Sequence, residues 1–156
     1  MKVKQILDGL WDVVGYGSDG QTLNLKATVP GMIHVDLERE GIIPPMFWRD
    51  NEKLCQWVEN RTWEYSTTFI VEDDKPLKNA FLNFDGLDTY ACITLNGHHV
   101  ASTDNGLMAY SFDVSKYIQK GKNHSDSKIS FSRFLSLTRC FHLNSLPSQS
   151  SLKAKT

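Results

Sequence analysis

Residues 63–71 read Trp-Glu-Tyr-Ser-Thr-Thr-Phe-Ile-Val, with Trp63, Tyr65, Thr67, Phe69 and Val71 on one face. A period of two over nine residues predicts a half-buried strand and sets the grammar for the rest of the chain. Residues 80–84 form a short apolar run that stops at Asp85-Gly86. Residues 89–95 are rich in β-branched and aromatic types and stop at Asn96-Gly97. Asn-Gly is the strongest short hairpin signal, because both positions tolerate φ > 0, and His98 onward is then the return strand. Gly86 is expected to serve its own turn with positive φ in the same way. Tyr110, Phe112 and Val114 alternate once more, and Gly121-Lys122-Asn123 closes a further turn.

The front third is mixed. Residues 10–14 and 22–29 read as strands around a turn at 18–21. Ile33 and Leu37 share one stripe of a short helix over 33–40, with Gly41 at its stop and Pro44-Pro45 forbidding continuation. Many short strands spaced by turns, with one short helix, predict an all-β fold: a jelly-roll or galactose-binding-like β-sandwich. Trp63, Tyr65, Phe69, Phe81, Phe84, Tyr110 and Phe112 are its expected aromatic core.

At 156 residues the chain is the size of one domain. Its formal net charge of −1 gives no electrostatic case for nucleic acid or an anionic membrane. No apolar run approaches the ~18 residues that span a bilayer. The first eight residues turn acidic too soon for a signal peptide, which leaves a cytosolic protein or a targeting segment elsewhere. Cys55, Cys92 and Cys140 form no C-x-x-C pair, and free thiols are the expectation. No metal site and no cofactor are expected. His98 and His99, adjacent on a strand, point to opposite faces and cannot easily share one ion. His34 is expected to hydrogen-bond locally. Asp85 is read as turn chemistry, Asp88 as holding a strand start, and residues 72–74 as a solvated turn.

The chain changes character near its end. Residues 125–156 hold nine serines and no tryptophan or tyrosine. One more strand is expected within 128–134, and a disordered tail from Pro147. The expected division is a partial β-sandwich over 1–124 and a divergent, Ser-rich tail over 125–156.

Several of these stretches together resemble one family. Phe84-Asp85-Gly86-Leu87-Asp88-Thr89-Tyr90-Ala91, then Leu95-Asn96-Gly97, then Tyr110-Ser111-Phe112-Asp113-Val114 and Gly121-Lys122-Asn123 resemble the N-terminal sugar-binding domain of glycoside hydrolase family two. Pro30-Gly31-Met32-Ile33-His34 with Leu37, and Arg49-Asp50-Asn51-Glu52 through Trp57, Trp63 and Tyr65, resemble its β-mannosidase branch. The set runs from about Leu7 to Asn123. The resemblance implies hydrolysis of terminal β-D-mannose residues by a retaining mechanism, with two glutamates on a later (β/α)₈ barrel. Such a barrel takes about 250 residues, more than the whole chain. The resemblance also implies a W-D-W-G-P-like sugar contact later in the first domain, and no tryptophan follows Asn123 to supply it. A non-catalytic front domain that normally packs on following domains is therefore expected. A lysosomal setting is implied if the parent is an animal enzyme. Two alternatives stay open: a stand-alone carbohydrate-binding module or lectin, and a non-functional truncated gene product.

Candidate binding residues follow from pocket logic. Arg49, Asp50, Asn51 and Glu52 form a polar cluster framed by Phe47, Trp48 and Trp57. Sugars stack on aromatic faces and hydrogen-bond to such groups. Trp48, Asp50, Asn51 and Trp57 are the candidate contacts to β-mannoside glycans in a complete enzyme, with packing on a neighbouring domain as the alternative. Asn60-Arg61-Thr62 and Asn123-His124-Ser125 match the N-glycosylation pattern, making Asn60 and Asn123 candidate acceptors.

Overall fold

A computed structural model describes residues 3–72, 77–130, 136–137 and 142–145. In chain order its strands are β1 (Val3–Ile6), β2 (Gly9–Tyr16), β3 (Thr22–Val29), β4 (Gly31–Met32), β5 (Thr62–Val71), β6 (Ala80–Phe84), β7 (Tyr90–Leu95), β8 (His98–Thr103), β9 (Tyr110–Asp113), β10 (Gly121–Ser130), β11 (Ser136–Leu137) and β12 (His142–Ser145). Between β4 and β5 lie α1 (Ile33–Arg39), α2 (Asn51–Cys55) and a 3₁₀ turn over Gln56–Asn60. A six-stranded sheet runs β3-β2-β5-β10-β7-β8, and a four-stranded sheet runs β1-β12-β6-β9. All these pairings are antiparallel. β4 and β11 form a separate two-stranded ribbon.

The period-two pattern decides which side of each strand is buried. On β5 the buried residues include Trp63, Tyr65, Phe69 and Val71; on β6 Ala80, Leu82 and Phe84; on β7 Ala91, Ile93 and Leu95. One buried cluster takes side chains from both sheets and from α1. Full burial of a Leu, Ile or Phe is worth about 1.5–3 kcal/mol, so these rows hold the layers together. The two large indoles are also satisfied: Trp11 Nε1 donates to Leu7 O at 2.9 Å and Trp63 Nε1 to Val58 O at 3.0 Å. Phe81 departs from expectation. It is out of phase with Ala80, Leu82 and Phe84 on β6 and only half-buried.

Two asparagines of the resembling motifs clasp the sheet connections. Asn96 has φ 51° and Gly97 φ 79°, the left-handed pair the hairpin needs. Asn96 Nδ2 donates to Tyr117 O and to Asn123 Oδ1, and Asn96 Oδ1 accepts from His124 N. Asn123, 1% exposed, accepts from Gln119 N and donates to Gln119 O and Gly121 O. The β7–β8 hairpin and the turn into β10 are thus tied side chain to backbone. Gly86 is not among the glycines with positive φ; it is buried in the link between β6 and β7.

The helix content exceeds the one helix expected, because α2 and the 3₁₀ turn follow α1. Each is five residues long, too short to leave a periodic signature. The expected division after residue 124 falls inside β10, which runs to Ser130 and pairs with both β5 and β7. Residues 73 and 74 of the expected solvated turn, residues 131–134 of the expected late strand, and the tail over 147–156 lie outside the described residues.

Candidate functional site

The segment between α1 and β5 carries the polar and aromatic cluster, and proline geometry shapes it. After α1 the backbone closes with Ile42 N donating to Leu37 O at 2.9 Å. Pro44 and Pro45 then stop any helix. Trp48 N donates to Pro45 O at 3.1 Å, and Asn51 Nδ2 donates to the same oxygen at 2.9 Å. Arg49 sits at φ 53°, a left-handed turn position. The result is a tight loop that throws Phe47 and Trp48 outward, at 91% and 64% exposure.

Beside this loop lies an open cavity of about 460 Å³, within the usual range of small-ligand sites. His34, Phe47, Arg49, Glu52, Gln56 and Glu59 supply most of its wall. His34, on the buried side of α1, is 5% exposed, and burial pushes its imidazole below the usual histidine range, with Glu59 opposing. Its Nδ1 has no hydrogen-bond partner among the described residues, so the expected local bond is not made at that atom. The wall carries one guanidinium, from Arg49, and two carboxyl groups, from Glu52 and Glu59. That surplus of acceptors suits hydroxyl groups and opposes anions.

The four candidate contacts are not gathered on one surface. Trp48 is exposed, with the Arg49 guanidinium 5.9 Å from its ring centroid. Asp50 faces solvent and pairs loosely with Lys53 at 3.7 Å. The Asn51 amide is occupied with Pro45 O and holds the loop together. Trp57 lines a different, smaller cleft, with Arg61 stacked over its ring at 5.2 Å. Sequence reasoning missed Gln56 and Glu59, which reach the cavity through a 3₁₀ turn that leaves no periodic pattern. His98 stacks on Tyr117, and His99 Nε2 meets Ser102 Oγ at 3.0 Å, so the two histidines have separate partners.

The two asparagines of the glycosylation pattern also differ. Asn60 is exposed at the end of the 3₁₀ turn. Asn123 is buried, and both its amide hydrogens are donated to backbone. The Asn123 side chain therefore ties the turn into β10.

Comparison with known proteins places this architecture. The family model described as glycosyl hydrolase 2 galactose-binding domain-like matches residues 11–139, beyond the end of the motif set at Asn123. Rat β-mannosidase is 33% identical over 135 residues, covering 86% of this chain and 15% of its own length. Mouse β-mannosidase is 34% identical over 136 residues, with the same shares. A β-D-mannosidase structure from Dictyoglomus thermophilum superposes with a TM-score of 0.81 at 26% identity, over 90% of this chain and 22% of that one. A Ruminococcus gnavus β-glucuronidase, at 16% identity and a TM-score of 0.70 over 94% of this chain and 30% of its own, shares the fold. The chain thus spans about 15% of the mammalian relatives it matches, and it belongs to the glycosyl hydrolase 2 galactose-binding domain-like family.

Proposed function

We propose that this chain is the non-catalytic N-terminal domain of a β-mannosidase-like glycosidase. The complete enzyme would hydrolyse terminal β-D-mannose residues with retention, on a barrel outside these residues. The observation that carries the reading is the family match over residues 11–139, joined to a two-sheet sandwich that superposes on a β-D-mannosidase. Retaining hydrolysis needs two carboxyl groups about 5–5.5 Å apart, and on this reading the chain contributes neither. Its contribution is the loop over 44–60: Trp48, Asp50 and Asn51 face the sugar or the following domain, with Trp57 on a separate cleft. Assay of the purified chain on an aryl β-mannoside tests the proposal. No turnover is expected; turnover that survives repurification overturns it.

The cavity beside Phe47 favours a second reading, a carbohydrate-binding module that acts alone. Calorimetric titration with mannose and manno-oligosaccharides separates the two. Saturable binding by the isolated chain supports the module, and none supports the domain.

A further inference from the structure

Two Asn-x-Ser/Thr triplets occur in this chain, and the fold treats them oppositely. Asn123 is 1% exposed and donates both amide hydrogens, to Gln119 O at 2.7 Å and Gly121 O at 3.0 Å. N-glycosylation replaces one of those hydrogens with a sugar carbon, so a bond is lost and a bulky group must enter closed space. Asn60 is exposed and sits where the 3₁₀ turn hands over to β5. It also lines a cleft of about 270 Å³, just below the ~300–1,000 Å³ range of small-ligand sites.

The walls of that cleft are prepared before any sugar arrives. Arg61 lies over Trp57 at 5.2 Å and donates to Gln21 O at 3.1 Å and Gly15 O at 3.5 Å. Asp19, across the cleft, approaches Arg61 at 4.0 Å. A guanidinium stacked on the indole and pinned by two backbone carbonyls, with a carboxylate opposite, offers fixed donors and an acceptor to the hydroxyl and acetamide groups of a pyranose.

We propose that Asn60 is an N-glycan acceptor, that its first N-acetylglucosamine seats in the Trp57–Arg61 cleft, and that Asn123 stays unmodified. The donor is a lipid-diphosphate-linked oligosaccharide. The Asn60 Nδ2–C1 bond forms as the C1–O bond to phosphate breaks. The lipid diphosphate leaves with the bonding electron pair, and the amide loses one proton.

The test uses the protein isolated from the organism that makes it. Peptide-N-glycosidase in heavy-oxygen water converts a glycosylated asparagine to labelled aspartate, which peptide mass spectrometry locates. Label at residue 60 and none at 123 is expected. No label at 60, or label at 123, overturns the assignment. Seating is read from native-state release of the glycan, which should be several-fold faster in Trp57→Ala than in wild type. Asp19→Ala, at a half-exposed wall residue, gives the same readout if the Trp57 variant does not fold. Equal release rates in a folded variant overturn the seating.

Discussion

Gly15 shows how one residue type is forced by its neighbour across a ladder. It pairs with Trp63, and a Cβ added there would lie 2.5 Å from the Trp63 ring. The ring is packed in the core and its indole nitrogen is already bonded, so it cannot swing away freely. Gly15→Ala should cost about 1–3 kcal/mol as an overpacking change, read as a lower denaturation midpoint in urea. Asn123 is the second such residue. Removing its side chain takes the partner from part-buried polar groups of Gln119, Gly121 and Asn96, so Asn123→Ala should cost about 1–3 kcal/mol. Asn96 and Asn123 bond directly, and a double-mutant cycle between them should show coupling of about 0.5–3 kcal/mol. Additive single-mutant losses would mean that each asparagine acts only on its own backbone. Both asparagines were visible as motif letters. Their contact was not, because 27 residues separate them.

At the scale of elements, α1 closes the edge of the larger sheet. β3 is an edge strand, and such edges invite pairing with other chains. Asp36 Oδ1 accepts from Thr28 N at 3.0 Å and from Arg39 Nη1 at 2.8 Å, while Arg39 Nη2 donates to Lys26 O at 2.7 Å. Burial raises the Asp36 carboxyl above its usual range, opposed by the Thr28 amide and the Arg39 guanidinium. Asp36→Ala should lower stability by about 1–3 kcal/mol and expose that edge, detected together by thermal melting and light scattering. His34, on the same helix, gives a pH signature. Its folded pKa is depressed, so the unfolded chain binds the extra proton between the folded value and about 6.5. Stability from this group is therefore present above pH ~6.5 and lost as pH falls toward the folded value. His34→Gln should flatten that part of the stability–pH profile; an unchanged slope would remove His34 as its source. The helix itself was legible from Ile33, Leu37 and Gly41. The use of Asp36 and Arg39 was not, since their backbone partners Thr28 and Lys26 lie 8 and 13 residues away on β3.

For the whole molecule, the apolar surface is the quantity to test. Phe47 and Trp48 stand out from the proline-built loop, and Val35 and Leu54, on α1 and α2, are 61% and 62% exposed. Large exposed apolar side chains mark interaction surfaces or association hazards. The isolated chain should self-associate, and Phe47→Ser with Trp48→Ser should shift it toward monomer in sedimentation velocity. A wild-type chain that sediments as a monomer at high concentration would count against this.

Local sequence determined the strands, because the alternation of Trp63, Tyr65, Phe69 and Val71 depends only on backbone period and on which side chains avoid water. It also determined the Asn96-Gly97 hairpin, because few other residue pairs tolerate that backbone. Tertiary structure decided the strand order, with β10 inserted between β5 and β7 and β12 between β1 and β6. It also set Trp57 apart from Trp48, and buried Asn123 while leaving Asn60 in solvent. These outcomes depend on contacts between residues far apart in the chain, and no local periodicity encodes such distances.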